Sequence, residues 1–445
     1  MAGSTIRFSP LGKSNIAVAV VAVLLVLVGK IGTTTAQPSW EINEQRANQV
    51  LNQIILDDPT VIKVFIQGSK TSDEYGDLFQ DKIKKPFPCR FSHKNPKRSK
   101  HPPQSVNRLR PGDIKVVGGI GDSITSGVGA TCLSVATAKR EDRGYSFTAG
   151  GLETWRTVTT VANLLKIFNR KLRGYSTGTG NFKSKQAGLN VAIKFALDDD
   201  LDLQAKFLVS KMKKDRKINF ENDWKLVFIM IGHNDVCAYQ CSDPTGQSRD
   251  THKANIKAAV DYLVQNMPRV FIAIISMIDT TLLARQPNTE ACKIITRKIV
   301  CPCLEKTGNL PQDLVDMSAV VRDYQQAEIE VTELDEYQNN NTFTVEWMPF
   351  AQAFNGPTNI GDPENPKIVE LFTNSSITAP DCTHLNQRGM GLAGRLLWNN
   401  LLEPVGKKSA SLNMHPKFKC PTIYRPFLFT KKNSNVTNYL TNLFG

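Results

Sequence analysis

The chain has 445 residues, with Lys+Arg 55 against Asp+Glu 41 and a formal net charge of +14. Hydrophobic residues make up 41% and charged residues 22%, a mixture that excludes disordered, collagen-like and low-complexity classes because it carries enough apolar surface to offset the entropy of ordering. The length supports a large core, as one long α/β domain with insertions or as two or three smaller ones, and no repeat of solenoid or propeller period is visible.

In chain order, Arg7 and Lys13 precede an apolar run from Ile16 to Val28, followed by small residues at Thr34 and Ala36. This reads as a signal peptide cut after Ala36; the competing reading is an uncleaved anchor, for which the run is short of the ~20 residues of a membrane span. Residues 1–36 carry Arg7, Lys13 and Lys30 and no acid, so the exported chain stays basic. All the cysteines (89, 132, 237, 241, 292, 301, 303, 382 and 420) lie beyond the cut. Export favours disulfides over zinc as the reading of Cys237-x-x-x-Cys241 and Cys301-x-Cys303. The odd total leaves one thiol over, with Cys132 a candidate, and the connectivity stays open. Asn340, Asn374 and Asn435 head glycosylation sequons.

Residues 37–110 read as a helical, then irregular lead-in, and the basic stretch Ser92–Arg110 as an exposed loop; it lacks the interleaved aromatics of a nucleic-acid patch. From Lys115 apolar runs alternate with helical periodicity. The expected strands are 115–121, 189–193, 226–231 and 270–277; the expected helices are 157–169, 203–212, 254–266 and 311–336, before a loop-rich C-terminal third. Alternation of this kind predicts an α/β fold with a central parallel sheet, whose chemistry sits at the carboxyl ends of its strands.

Three segments stand where such chemistry is expected. Gly121-Asp122-Ser123 follows the first strand, Gly232-His233-Asn234-Asp235 follows the third, and Asp381-Cys382-Thr383-His384 lies near the C-terminus. A serine hydroxyl on a tight turn becomes a nucleophile when a base takes its proton. His384 is the candidate base, Asp381 the group that fixes its tautomer, and Asn234 an amide donor for the developing oxyanion. Each segment alone is a weak signal; their order at strand ends carries the argument.

The segments VVGGIGDSITSGVGA, RGYSFTAGG, LVFIMIGHNDVC and DCTHLNQRGM resemble the conserved blocks of the GDSL (SGNH) hydrolases, and more narrowly the animal phospholipase B group, over residues 110–432. The resemblance implies a flavodoxin-like three-layer α/β/α sandwich over 111–432, with a tail at 433–445. It also implies hydrolysis of fatty-acyl esters in phospholipid or lysophospholipid, without metal or cofactor. Carried over, Ser123 is nucleophile, His384 base and Asp381 its partner. Asn234 and the Ser123 N–H are oxyanion donors. The third donor falls at Phe195, where the family pattern has glycine, and His233 also stands where the family has glycine. A backbone N–H survives at Phe195, but a positive φ there would strain a phenylalanine and its ring could occupy the acyl site. Two alternatives stay open: a catalytically silent lipid-binding protein on the same scaffold, and a short-chain or acetyl esterase. The net charge is compatible with peripheral contact to anionic membranes or with a merely solvated basic surface. Gly150-Gly151 reads as a simple turn or a second cradle, and Trp40, Phe65, Phe79, Phe87 and Phe91 as core or lipid entrance.

Overall fold

The computed structural model describes residues 37–67, 78–287, 289–374 and 376–434. The signal-peptide segment and the Asn435 sequon lie outside them.

Four strands, β1 (Ile114–Gly121), β2 (Trp224–Met230), β3 (Val270–Ile275) and β4 (Phe343–Met348), form one parallel sheet in the order β1-β2-β3-β4. The expected strand at 189–193 is an extended segment on the outer edge of β1. The Gly119 N–H donates to Leu189 O, and the Val191 and Ile193 N–H groups donate to Gly119 O and Gly121 O. Counting that segment second gives the flavodoxin-like order, whose ligand crevice opens at the carboxyl ends of β1 and β2.

The strands are apolar runs rather than alternating patterns because both faces are covered. Val117, Leu226, Phe228, Phe271 and Ile275 pack under Val161 and Leu165 of a helix at Val161–Phe168 and Leu396 and Leu401 of one at Gln387–Leu401. On the other face Val116, Ile120, Val227, Ile229, Ile272 and Ile274 meet helices Leu201–Lys214, Arg249–Asn266 and Leu310–Glu333. We number the principal helices in chain order α1 (Ser39–Asp57), α2 (Val61–Gln67), α3 (Ser123–Ser126), α4 (Val161–Phe168), α5 (Leu201–Lys214), α6 (Arg249–Asn266), α7 (Glu290–Lys293), α8 (Leu310–Glu333), α9 (Pro366–Thr373) and α10 (Gln387–Leu401). The result is a three-layer α/β/α sandwich.

β4, α9 and α10 depart from the expected loop-rich C-terminal third. β4 contains buried Thr344 and Glu346, which bond to each other at 2.5 Å, so its pattern does not read as a buried strand. In α10, glycines mask the helical pattern because neighbours leave no room: a Cβ at Gly394 would lie 2.4 Å from Thr159 O, and one at Gly389 2.3 Å from Ile377 O.

Disulfides join Cys89–Cys420, Cys237–Cys301, Cys241–Cys303 and Cys292–Cys382, leaving Cys132 as a buried free thiol. The cysteines weighed as zinc ligands are thus paired with one another. Among the described residues, no helix is long and apolar enough to cross a membrane. Phe87 packs against Trp155, Phe168 and Phe418, and Phe91 against Phe168, so these two aromatics belong to the core. Gly150 and Gly151, read as a turn, instead run as extended chain alongside Ser176, with the Gly151 N–H donating to Ser176 O at 2.8 Å, and are pressed against Ser146 and the Tyr175 ring.

One buried ion pair organises the edge beside β1. Arg143, fully buried, pairs with Glu141 and donates to Gly180 O at 2.7 Å, Asn190 O at 2.9 Å and Ala192 O at 2.7 Å. It therefore clamps the extended segment that leads into residue 195. Breaking such a pair by removing one partner strands a buried charge, at a cost of about 3–5 kcal/mol. Arg143→Met is expected to lose that much stability in urea unfolding; a loss below about 1 kcal/mol would contradict the clamp.

Candidate active site

Backbone sterics fix the turn at the end of β1. Gly121 has φ +144°, and a Cβ there would lie 2.1 Å from Met230 O on β2, so only glycine lets the strands approach before the chain turns. Asp122 then caps α3, its Oδ1 accepting from the Ile124 N–H at 2.9 Å, and Ser123 is the first helical residue. At a first helical position the N–H has no intrahelical acceptor. The Ser123 N–H and Oγ make no hydrogen bond to any described residue, and the side chain is half-buried.

His384 and Asp381 lie in a loop just before α10. His384 Nδ1 is 2.5 Å from Asp381 Oδ2, while Asp381 Oδ1 accepts from the Thr383 N–H at 3.1 Å and the His384 N–H at 3.0 Å. Between them Cys382, at φ +59°, is bonded to Cys292 of α7, so a covalent link anchors the loop that carries both residues. Burial pushes Asp381 up, but the His384 charge and the donated hydrogen bonds outweigh it and hold the carboxyl below its ordinary value. Burial pulls His384 down, and Asp381, its hydrogen bond and the Asp122 charge together outweigh that, leaving the imidazole above its ordinary value. His384 Nε2 has no hydrogen-bond partner among the described residues.

The chain just past α3 reaches this loop. A Cβ at Gly129, just past α3, would lie 3.4 Å from Asp381 Oδ2 and 3.5 Å from Cys132 Sγ. The Cys132 thiol is pushed up by burial and by the charges of Asp381 and Asp142, so it is a neutral neighbour.

After β2, Gly232 (φ +112°) faces His252, whose ring stacks on Tyr324 at 4.0 Å. His233 bonds to Asp122. The Asn234 Nδ2 donates to Ala196 O at 2.8 Å, and Asp235 Oδ1 accepts from the Asp198 N–H at 3.0 Å. These two bonds tie the Asn234 turn to the loop carrying Phe195. Burial and then the Asp198 charge push the Asp235 carboxyl well above its ordinary value. Phe195 has φ +65°, the left-handed region that costs a non-glycine residue about 1–2 kcal/mol. Its N–H, like that of Ser123, makes no hydrogen bond to any described residue.

The structure therefore brings Asp381 to His384, Asp122 to His233, Asn234 to the Phe195 loop and Gly129, just past α3, to Asp381. A direct Ser123–His384 hydrogen bond is not among the contacts of the described residues; apo catalytic contacts are commonly long until substrate binds. Nor, among the described residues, does any group of His, Cys, Asp and Glu converge as a metal site. Asn340 is half-buried and its Oδ1 accepts from the Thr342 N–H, whereas Asn374 is exposed.

Asn43 escaped the sequence reading. Fully buried on α1, it donates from Nδ2 to Phe195 O at 3.1 Å while its Oδ1 accepts from Arg46. Beside it Lys194 pairs with Glu44 at 2.6 Å. Nothing local marks a single asparagine on a helix as reaching a loop 152 residues away. If this brace holds a strained backbone, Asn43→Ala should lower kcat by about tenfold with little change in KM. The loss should shrink in a Phe195→Gly background, where the angle needs no support. Equal losses in both backgrounds would reject the brace.

A family model described as GDSL-like Lipase/Acylhydrolase matches residues 117–397. The chain is 38% identical over 341 residues to the Rattus norvegicus protein named "Phospholipase B1, membrane-associated", covering 75% of this chain and 23% of that protein. The Mus musculus protein of the same name is 38% identical over 351 residues (78% and 23%) and the Homo sapiens protein 35% over 341 residues (75% and 23%). The chain thus spans 23% of the length of each of these curated relatives.

Proposed function

Because the chain belongs to the GDSL-like lipase/acylhydrolase family, we propose that it is a serine esterase cleaving fatty-acyl ester bonds of glycerophospholipids and lysophospholipids. The observation that carries this reading is His384, held through Nδ1 by Asp381 at 2.5 Å with Nε2 left free. That is the tautomer a general base needs.

Ser123 Oγ attacks the acyl carbonyl carbon as His384 Nε2 takes its proton, and Asp381 stabilises the imidazolium. The tetrahedral oxyanion accepts from the Ser123 and Phe195 N–H groups and from the remaining Nδ2 hydrogen of Asn234. Collapse breaks the ester C–O bond and His384 protonates the departing alcohol. Water, deprotonated by the same imidazole, then releases the fatty acid from the serine. The substrate class follows from the relatives named phospholipase B1. The disulfides and the N-terminal apolar run favour an exported protein, and the net positive charge that remains without Arg7, Lys13 and Lys30 favours contact with anionic lipid surfaces. Asn340, Asn374 and Asn435 are the proposed glycan sites.

A second reading, a lipid-binding protein without turnover, is favoured by the strained Phe195 alone. Ser123→Ala separates the two: release of fatty acid from lysophosphatidylcholine should fall by at least about 1000-fold with unchanged thermal stability. Turnover retained in the variant rejects the nucleophile, and no turnover in the unaltered chain favours the second reading. Since His384 works only as the neutral base and its value is raised above 6.5, kcat/KM should decline as pH falls through a midpoint above 6.5. Asp381→Asn should move that midpoint down. A midpoint well below 6.5 in the unaltered enzyme would contradict the assignment.

A further inference from the structure

We propose that Asp122 and His233 form a second carboxylate–imidazole pair, which positions a negative charge beside His384 and fastens the nucleophile turn to the loop after β3. This rests on the reading of Ser123 and His384 as nucleophile and base. Asp122 and His233 are positioning residues in it, acting through those two.

The hydrogen bonds settle the state of His233. Its Nδ1 lies 2.7 Å from Asp122 Oδ2, and the backbone N–H of Ile278 donates to its Nε2 at 3.0 Å. A main-chain amide only donates, so Nε2 must present its lone pair, and the single ring proton must sit on Nδ1 and point at Asp122. A doubly protonated ring would set N–H against N–H at Ile278. With both nitrogens engaged, His233 can neither carry a proton to substrate nor act as a rival base, although it stands next to Asn234.

What the ring does is hold Asp122. That side chain is buried, and each oxygen accepts one hydrogen bond, Oδ1 from the Ile124 N–H and Oδ2 from His233. Both oxygens accept, as a carboxylate's must. Rotation about its side chain would break the α3 cap, the histidine contact or both, so the charge has one place to be. That place is within electrostatic reach of His384, whose imidazole is raised by Asp122 in addition to Asp381. The charges that raise His384 are Asp381 from its own loop and, at longer range, Asp122 from the Ser123 turn. Near Asp381 lies the neutral Cys132 thiol, itself within reach of the Asp142 and Arg140 charges. When His384 takes the serine proton it becomes a cation favoured by two carboxylates, Asp381 in contact and Asp122 at longer range. The mechanical consequence is separate. Two hydrogen bonds, Asp122–His233 and His233–Ile278, join the segments that follow β1, β2 and β3, and the residue covalently next to Ser123 is one of their ends.

A cap alone would also explain Asp122, and the pH profile distinguishes the roles. The measurement is kcat/KM against pH for p-nitrophenyl butyrate with the full chain, its Ser123→Ala control, and Asp122→Asn, His233→Ala and His233→Asn, each with its unfolding temperature. Asparagine caps a helix as well as aspartate does, so Asp122→Asn removes the charge and keeps the cap. It should move the acid limb down by about half to one pH unit and lower kcat about tenfold. His233→Ala should lower kcat several-fold, and His233→Asn, whose amide can replace the Nδ1–H, should recover most of that loss. An acid limb unmoved in Asp122→Asn, with any rate loss in the His233 variants tracking unfolding temperature and not recovered by asparagine, overturns the pair while leaving the esterase reading intact. Turnover that survives Ser123→Ala overturns both.

Discussion

A buried carboxylate stays charged only while donors surround it, and the 2.5 Å contact between His384 Nδ1 and Asp381 Oδ2, with the two N–H groups on the other oxygen, meets that condition. Much of the C-terminal third serves this contact. The Cys292–Cys382 disulfide pins the loop to α7, the Ala379 N–H donates back to His384 O at 2.7 Å, and α10 begins immediately after it under an Asn386 side-chain cap. Each constraint acts on the backbone so that two side chains meet in one orientation. The imidazole consequently keeps Nε2 without a hydrogen-bond partner among the described residues.

The Phe195 loop is built on a different principle. There the backbone is strained at Phe195, and strain persists only where surroundings over-determine it. Four devices converge on that loop: Asn43 on its carbonyl, Arg143 on the carbonyls leading into it, Asn234 on the next carbonyl, and Asp235 on the Asp198 N–H. They come from the lead-in, the 140s loop and the end of β2. A loop held from several directions can keep an angle that its own residue disfavours, and the cost is spread over contacts that also order the site. The lead-in helix α1 lies before the family match at 117–397, yet it supplies one of the four.

The sheet was legible because its core strands are unbroken apolar runs. Leu226–Ile231 and Val270–Met277 could be little else once helical periods flanked them. Ser123 and Asn234 could be singled out for another reason: each follows a glycine-bearing turn at the end of β1 or β2, while Asp381 and His384 stand in a short polar block in the loop before α10. β4 was not legible, since buried Glu346 mimics a surface residue until Thr344 and the Lys431 N–H are seen to satisfy it. α10 was hidden by glycines that are there for close packing. The concern over Phe195 was well directed, because φ is indeed positive there. What local sequence could not carry was the support: Asn43, Arg143 and the disulfide partner of Cys382 act across long chain separations, and pairing of that kind leaves no periodic trace.

The central claim is that Ser123, His384 and the donors at Ser123, Phe195 and Asn234 converge on one tetrahedral centre. The most direct measurement is an experimental structure of the chain after reaction with an alkyl fluorophosphonate, whose phosphorus stands in for the tetrahedral carbon. The account predicts phosphorus bonded to Ser123 Oγ, with its oxygen within about 3.1 Å of the Ser123 and Phe195 nitrogens and Asn234 Nδ2, and His384 Nε2 beside the serine oxygen. Phosphorus on another residue, or an adduct oxygen turned to solvent with the Phe195 ring lying between it and the amides, would contradict it.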